Sequence, residues 1–204
     1  MATVLNDLEI APLVLHFRPA IEMTEDQFFE FCQINRDLRI ERTAQGDILI
    51  MAPAGGESAA RNAGLTMQLT VWAKRDGSGV AFDSSAGFTL PNGATRSPDA
   101  AWVRKERLRH LTAEQKAKFL PLWPDFVVEL LSPSDRLSTV KEKMQEYLEN
   151  GVQLGWLIDP QRRQVYVYRP NAKVQRLDDP DTISSEPLLP GFVVDLGDIW
   201  DPAF

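Results

Sequence analysis

The stretch DFVVELLSPSD, Asp125 to Asp135, decides how this chain is read. Val127, Val128, Leu130 and Leu131 have the character of a buried strand, and Glu129 sits among them. A carboxylate in such a place is costly to desolvate unless something pairs with it. If its partner is a metal ion, the protein is an enzyme. If its partner is an arginine, the pair is structural.

A second carboxylate stands in a similar setting. In RSPDAAWV, Asp99 follows Pro98 and begins a strand, a position that suits a proline just before it. Two carboxylates brought together at low dielectric repel, which drives one of them to protonate. A divalent cation removes that conflict. Mg²⁺ takes one or two protein carboxylates, keeps several waters and accepts phosphate oxygens in its shell. Such a layout suits phosphodiester hydrolysis. A protein cation is then needed to balance the developing charge or to orient water. Lys141 and Lys143 lie on the helical segment that follows, and Lys143 shares a face with Tyr147 at i, i+4. On the residues alone, the other reading stays open: a strand-end Asp99 in a turn, and Glu129 paired with Arg96 or Arg136.

The surrounding segments place these residues on a frame. Thr24-Glu25-Asp26-Gln27 is a capping box that opens a helix through QFFEFCQIN. DLRIERTAQGDILIMAP predicts two strands joined at Ala44 to Asp47. In GGESAARNAGLTMQLTVWAKRDG, Leu65, Leu69 and Trp72 recur at i, i+4, i+7, predicting an amphipathic helix closed near Gly77. VAFDSSAGFTLP and SPDAAWVRK predict two strands around the turn-rich PNGATR. Thr112 to Gln115 repeats the capping box, with a short helix running to about Phe119. Ser138 to Glu149 is helical and stops at Asn150-Gly151. LGWLID and QVYVYR pair across Asp159 to Arg163, and VQRL and FVVDL add short strands. The order implies α/β, on the border of α+β: one mixed sheet with helices against it. Residues 1–22 are expected to form an N-terminal arm and residues 23–204 a single domain.

The totals narrow the class. The chain has 204 residues, 44% of them hydrophobic and 25% charged, as in an ordinary globular domain. A net charge of −7 argues against a broad nucleic-acid-binding surface, though not against a small basic site within an acidic protein. No apolar run is long enough to cross a membrane, and MATVLNDLEIAPLVLHF lacks the basic start of a signal peptide. A soluble cytoplasmic protein is the expectation. The single Cys32 reads as a core residue. His16 and His110 have no companions at zinc-ligand spacing, and no P-loop or GxSxG motif occurs. Asp83, Gln145, Ser132 and Ser134 read as strand-end, outward-facing and turn residues. Arg96 and Arg136 read equally as phosphate clamps or structural pairs. Trp102, Trp123, Trp156 and Trp200 read as core or interface residues.

GGESAARNAGL, FDSSAGFTLPNGATRSPDAAWV, PDFVVELLSPSD, KEKMQEYLENGVQLGWLIDP and LPGFVVDL together resemble the Uma-type family, described as putative restriction endonucleases. That family is common in cyanobacteria and lies in the PD-(D/E)XK nuclease superfamily. The resemblance spans roughly Met23 to Trp200. It implies a restriction-endonuclease-like mixed sheet flanked by helices, and a Mg²⁺- or Mn²⁺-dependent endonuclease with DNA as its expected substrate. It assigns metal binding to Asp99 and Glu129, with Glu57 assisting through water; the strand itself presents the Leu130 backbone carbonyl beside Glu129 as a further ligand. The motif's lysine should stand at position 131, which is Leu131 here. The resemblance moves that role to Lys143 on the next helix, with Lys141 the less favoured choice. It is compatible with a homodimer. The competing expectation is a catalytically silent module of the same fold that acts by binding.

Overall fold

The computed structural model describes residues 12–203. The stretch expected as an arm falls partly outside them, at residues 1–11. Within them the arm supplies a strand, β1 (Leu13–Leu15), paired antiparallel with β3 (Ile48–Met51). The first helix, α1 (Glu25–Ile34), opens as its capping box dictates. Thr24 Oγ1 accepts the Gln27 N–H at 3.2 Å, and Gln27 Oε1 accepts the Thr24 N–H at 2.9 Å. The hairpin β2 (Arg39–Arg42) and β3 follows as expected. The helix α2 (Gly56–Asp76) buries Leu65 and Leu69 and ends at Gly77, whose φ of 77° is left-handed.

The next segment differs from the expectation of two strands around a turn. Four strands form: β4 (Gly79–Asp83), β5 (Phe88–Thr89), β6 (Thr95–Arg96) and β7 (Ala100–Arg104). The two-residue pieces β5 and β6 owe their existence to a distant partner. β6 pairs with both β5 and β2, with Thr95 opposite Arg42. Two short helices follow, α3 (Lys105–Arg109), which no cap announces, and the capped α4 (Ala113–Ala117). Then come β8 (Phe126–Leu130), α5 (Leu137–Glu149), β9 (Leu154–Asp159) and β10 (Gln164–Tyr168). The chain closes with β11 (Gln175–Asp178), β12 (Thr182–Ser184), β13 (Val193–Asp195) and α6 (Gly197–Trp200).

Among the described residues the single mixed sheet becomes three. The central sheet has six strands in the order β11-β10-β9-β8-β7-β4, and only β8 and β9 run parallel. A five-stranded antiparallel sheet runs β1-β3-β2-β6-β5, and β12 pairs with β13. The chain passes from β6 into β7 through Ser97, Pro98 and Asp99, so the second sheet abuts the ends of β7 and β8.

Strand periodicity sorts the central sheet into two faces. Ala100, Trp102, Phe126, Val128 and Leu130 share a cluster with Leu65 and Leu69 of α2 and with Phe192 near the C-terminus. Val127 and Leu131 point the other way, into a cluster with Met144 and Tyr147 of α5. Glu129 alternates with Val127 and Leu131, so it faces α5. Gly155 lies beside Val127 in the parallel register. A Cβ on Gly155 would stand 2.4 Å from Met144 Cε, so this glycine lets α5 settle onto the sheet. Trp102, Trp156 and Trp200 are buried, as core residues should be. Cys32 is half-buried against the α1 cluster, where burial pushes its thiol up to about 11. No helix among the described residues is long and apolar enough to cross a membrane.

Candidate active site

The antiparallel register of β7 and β8 pairs Trp102 with Phe126, Ala101 with Val127 and Ala100 with Val128. One residue further along are Asp99 and Glu129. Opposed residues of an antiparallel pair share a face, so the two carboxylates are brought together at the ends of neighbouring strands. Asp99 is fixed there by its own acceptors. Its Oδ2 accepts the Leu130 N–H at 2.8 Å. Its Oδ1 accepts Arg39 Nη2 at 3.2 Å and Asn62 Nδ2 at 3.1 Å.

Glu129 is met by a tyrosine and a lysine of α5, and the charge of Arg39 acts on it from β2. Glu129 Oε1 accepts the Tyr147 hydroxyl at 2.9 Å and lies 2.9 Å from Lys143 Nζ. The i, i+4 spacing on α5 puts that hydroxyl and that ammonium on one face, and both end on the same carboxylate oxygen. Lys141 goes elsewhere: its ammonium lies 4.3 Å from the centre of the Tyr166 ring. Gln145 hydrogen-bonds the exposed Glu149. Leu131, where the motif's lysine would stand, is buried among apolar residues.

Lys143 bridges two carboxylates. Its second partner is Glu41 of β2, with Oε1 2.9 Å away. Glu41 also accepts the Ser97 N–H at 3.0 Å and Arg96 Nη1 at 3.2 Å. Arg96 in turn donates through Nε to Glu146 at 2.7 Å, which fixes it as a structural pair. Two carboxylates thus share one ammonium, with unequal support from their other neighbours. Burial pushes Glu129 up to about 7; Lys143 opposes the rise, and the charges of Asp99 and Glu41 add to it. Burial acts the same way on Glu41, but Lys143, Arg96 and the Ser97 N–H outweigh it and hold that carboxyl down at about 2. Such a separation of paired carboxyl groups is how a site assigns a proton to one of them. Burial alone would lower Lys143, but Glu129 and Glu41 reverse this and raise its pKa, so it stays an ammonium.

Glu57 is not drawn into this network. It stands in the first turn of α2, largely exposed, and pairs with Arg61 at 3.0 Å. Asn62, five residues on, is the α2 side chain that reaches Asp99. Asp83 ends β4 and accepts the Ser85 N–H. Ser132 and Ser134 bond each other in the turn after β8. The other buried acids are held by the fold itself. Asp125 accepts the Arg104 N–H and pairs with Arg107, while Asp159 pairs with Arg162. His16 pairs with Asp47.

Arg39, Glu41 and Asn62 are the members that sequence reading misses. In LRIER, charges alternate with Leu38 and Ile40, the ordinary pattern of a strand with one wet face. Here that face is covered by the strand ends carrying Asp99 and by α5. Tyr147 was readable as a neighbour of Lys143, though not as a donor to Glu129. Tyr147→Phe keeps the packing and removes that donor. It is expected to cost about 1–3 kcal/mol in urea denaturation. An unchanged midpoint would mean that the hydrogen bond contributes nothing.

No curated protein matches this chain. Among solved structures, it is similar to a protein described as "a putative nuclease belonging to DUF820" from Anabaena variabilis ATCC 29413. The two are 22% identical, the match covers 88% of this chain and 98% of that one, and the TM-score is 0.69. At that identity the likeness shows the fold. The DrdV–DNA complex matches at 16% identity over 57% of this chain and 10% of that one, with a TM-score of 0.35, too low to carry an argument. A family model described as "Putative restriction endonuclease" matches residues 25–197. With that match over most of its length, the chain belongs to the Uma2 family.

Proposed function

We propose that this protein is a metal-dependent endonuclease that hydrolyses phosphodiester bonds, with DNA as the substrate class. The observation that carries the reading is the meeting of Asp99, Glu129 and Lys143 at one place, with Lys143 Nζ 2.9 Å from Glu129 Oε1. Family membership supports it.

The donor set suits Mg²⁺ or Mn²⁺. Its oxygens are hard, and burial, with the charges of Asp99 and Glu41 added to it, holds Glu129 up at about 7. Among the described residues no group of three or more His, Cys, Asp or Glu forms a ready cage. An ion that keeps waters and takes one or two carboxylates is the kind that fits. Asp99 and Glu129 would hold it, with the Leu130 carbonyl as a further ligand. We leave Glu57 outside this set because Arg61 occupies its carboxylate. The chemistry a bound divalent ion supplies is Lewis-acid polarisation of the phosphodiester. Lys143 then serves as a fixed positive charge and hydrogen-bond donor toward the phosphoryl oxygens or the attacking water. Its raised pKa argues against a role as general base at neutral pH. A homodimer with two such sites on one face would suit cutting both strands, and light scattering of the purified protein tests it.

The experiment is nicking of supercoiled plasmid with Mg²⁺ or Mn²⁺ beside Asp99→Ala purified identically. Nicking by the wild type alone supports the proposal. No nicking, or equal nicking by both, favours a silent module of the same fold.

The charge balance gives a test that needs no substrate. Glu129 has a native pKa above its unfolded value, so the native state binds more protons between about pH 4.5 and 7. The stability of the metal-free protein therefore falls as pH rises through that window, by about 3 kcal/mol from this group. A divalent ion on Glu129 offsets that loss. Mn²⁺ is expected to raise Tm clearly at pH 8 and little at pH 5.5. An equal rise at both, or none at pH 8, would count against Glu129 as a ligand.

A further inference from the structure

Strand β2 meets the site with two side chains of opposite charge. Arg39 and Glu41 flank the buried Ile40 and so project to the same side. Arg39 reaches the anion Asp99, and Glu41 reaches the cation Lys143. We propose that Glu41 is a positioning residue that holds the Lys143 ammonium in place beside Glu129. This rests on the reading of Lys143 as the site's working cation.

Three observations support the assignment. The first is reach. Lys143 is carried on a long flexible stem, and its ammonium is tied at 2.9 Å both to Glu41 Oε1 and to Glu129 Oε1. With Glu129 alone, it would have one carboxylate anchor and the rotamer freedom of a lysine to lose. Glu41 supplies a second fixed point from a different sheet. The second is rigidity. Glu41 is 2% exposed, and its carboxylate is pinned by the Ser97 N–H and by Arg96, which Glu146 pins in turn. An anchor that cannot move defines where its partner sits. The third is location. Ser97 is two residues from Asp99, so the segment that orients Glu41 also delivers the opposing carboxylate. One short connection sets both sides of the site.

Glu41 touches neither Asp99 nor Glu129 through any of these bonds. Its effect travels through Lys143. The rival account is that Glu41 merely ties β2 to α5, as an ordinary buried ion pair.

The deciding measurement reads Lys143 directly, in the full-length protein. In ¹⁵N-lysine-labelled protein, an ammonium held by two buried carboxylates should give a resolved, slowly exchanging NH₃⁺ signal, assigned by its loss in Lys143→Met. Glu41→Gln is expected to erase or broaden that signal while the backbone amide spectrum persists. Arg96→Gln leaves Glu41 its charge and the Ser97 N–H and is expected to weaken the signal less than Glu41→Gln does. If Glu41→Gln does not fold, the double variant Glu41→Gln/Arg96→Gln removes one charge of each sign, preserves the junction's balance and is read instead. Where plasmid nicking is measurable, Glu41→Gln should lower kcat about 10- to 100-fold with little change in KM, the size of effect that partners orienting a working group commonly have. A Lys143 signal that survives in Glu41→Gln, or in the double variant, would overturn the proposal. So would its loss in Arg96→Gln to the same extent as in Glu41→Gln. The NMR result stands whether or not the protein cuts DNA, so failure of the nuclease reading and failure of this one are separately visible.

Discussion

Asp99→Asn is expected to stop nicking while leaving a folded protein. The replacement preserves shape but changes one oxygen into an NH₂ group. Three donors converge on this carboxylate: the Leu130 N–H, Arg39 Nη2 and Asn62 Nδ2. After substitution, at least one of them faces another donor, a mismatch worth about 1–3 kcal/mol of stability. The catalytic loss should be far larger. A ligand that places a Lewis acid contributes several kcal/mol to the transition state, and at about 1.4 kcal/mol per decade this is a fall of about 10²- to 10³-fold or more. The informative control is Asp125→Asn. Asp125 is also buried, at the other end of β8, where it accepts the Arg104 N–H and pairs with Arg107. Its loss should lower stability by a similar amount and leave the nicking rate of the folded protein near wild type. Urea denaturation and plasmid nicking on the same preparations separate the two effects. Wild-type nicking by Asp99→Asn would remove Asp99 from the chemistry. An equal collapse in Asp125→Asn would show that the assay reports folding instead.

The part of this molecule that sequence reveals is the part set by local physics. The capping boxes at Thr24 and Thr112 open helices because each closes its own hydrogen bonds within four residues. The α2 stripe and its glycine stop are equally local. β5 and β6 are not, because two residues become a strand only when β2 lies beside them. Division into three sheets was illegible for the same reason, since pairings between distant segments decide it. The site divides in the same way. Glu129 and Asp99 draw attention because a carboxylate in or beside an apolar strand needs a partner. Lys143 stands out through its helical spacing to Tyr147. Glu41, Arg39 and Asn62 give no such signal, because a charge alternating with apolar residues, or an amide on a helix, is what a solvated face also presents. Only the approach of the second sheet turns those polar positions inward. Glu57 enters through the resemblance alone, and in the structure Arg61, four residues away, pairs with its largely exposed carboxylate.

Lys143→Met is expected to have the largest effect on stability, and that effect should depend on pH. Methionine fills the space of the lysine stem but leaves Glu41 and Glu129 without the charge they share. Glu41 keeps Arg96 and the Ser97 N–H, so it remains ionised. Glu129 keeps the Tyr147 hydroxyl and the charge of Arg39 but loses its nearest cation and still faces Asp99 and Glu41, so its already raised pKa rises further. The sign follows from proton uptake. A group whose native pKa exceeds its unfolded value costs nothing below the unfolded value, and its penalty grows as pH rises toward the native one. In the wild type that penalty is complete near pH 7; in the variant it continues to grow above pH 7. The difference between the two proteins should therefore be modest at pH 5 and reach about 3–5 kcal/mol at pH 8.5, the usual consequence of removing one partner from a buried pair. Nicking should be lost at both pH values. Lys141→Met provides the contrast: its ammonium only lies over the Tyr166 ring, an interaction worth about 0.5–2 kcal/mol, and nicking should persist. Urea denaturation of the three proteins at both pH values decides the matter. A Lys143→Met penalty that is the same at pH 5 and pH 8.5 would mean that this lysine is not the counter-charge of Glu129. In that case the lysine's place in the site would rest on proximity alone.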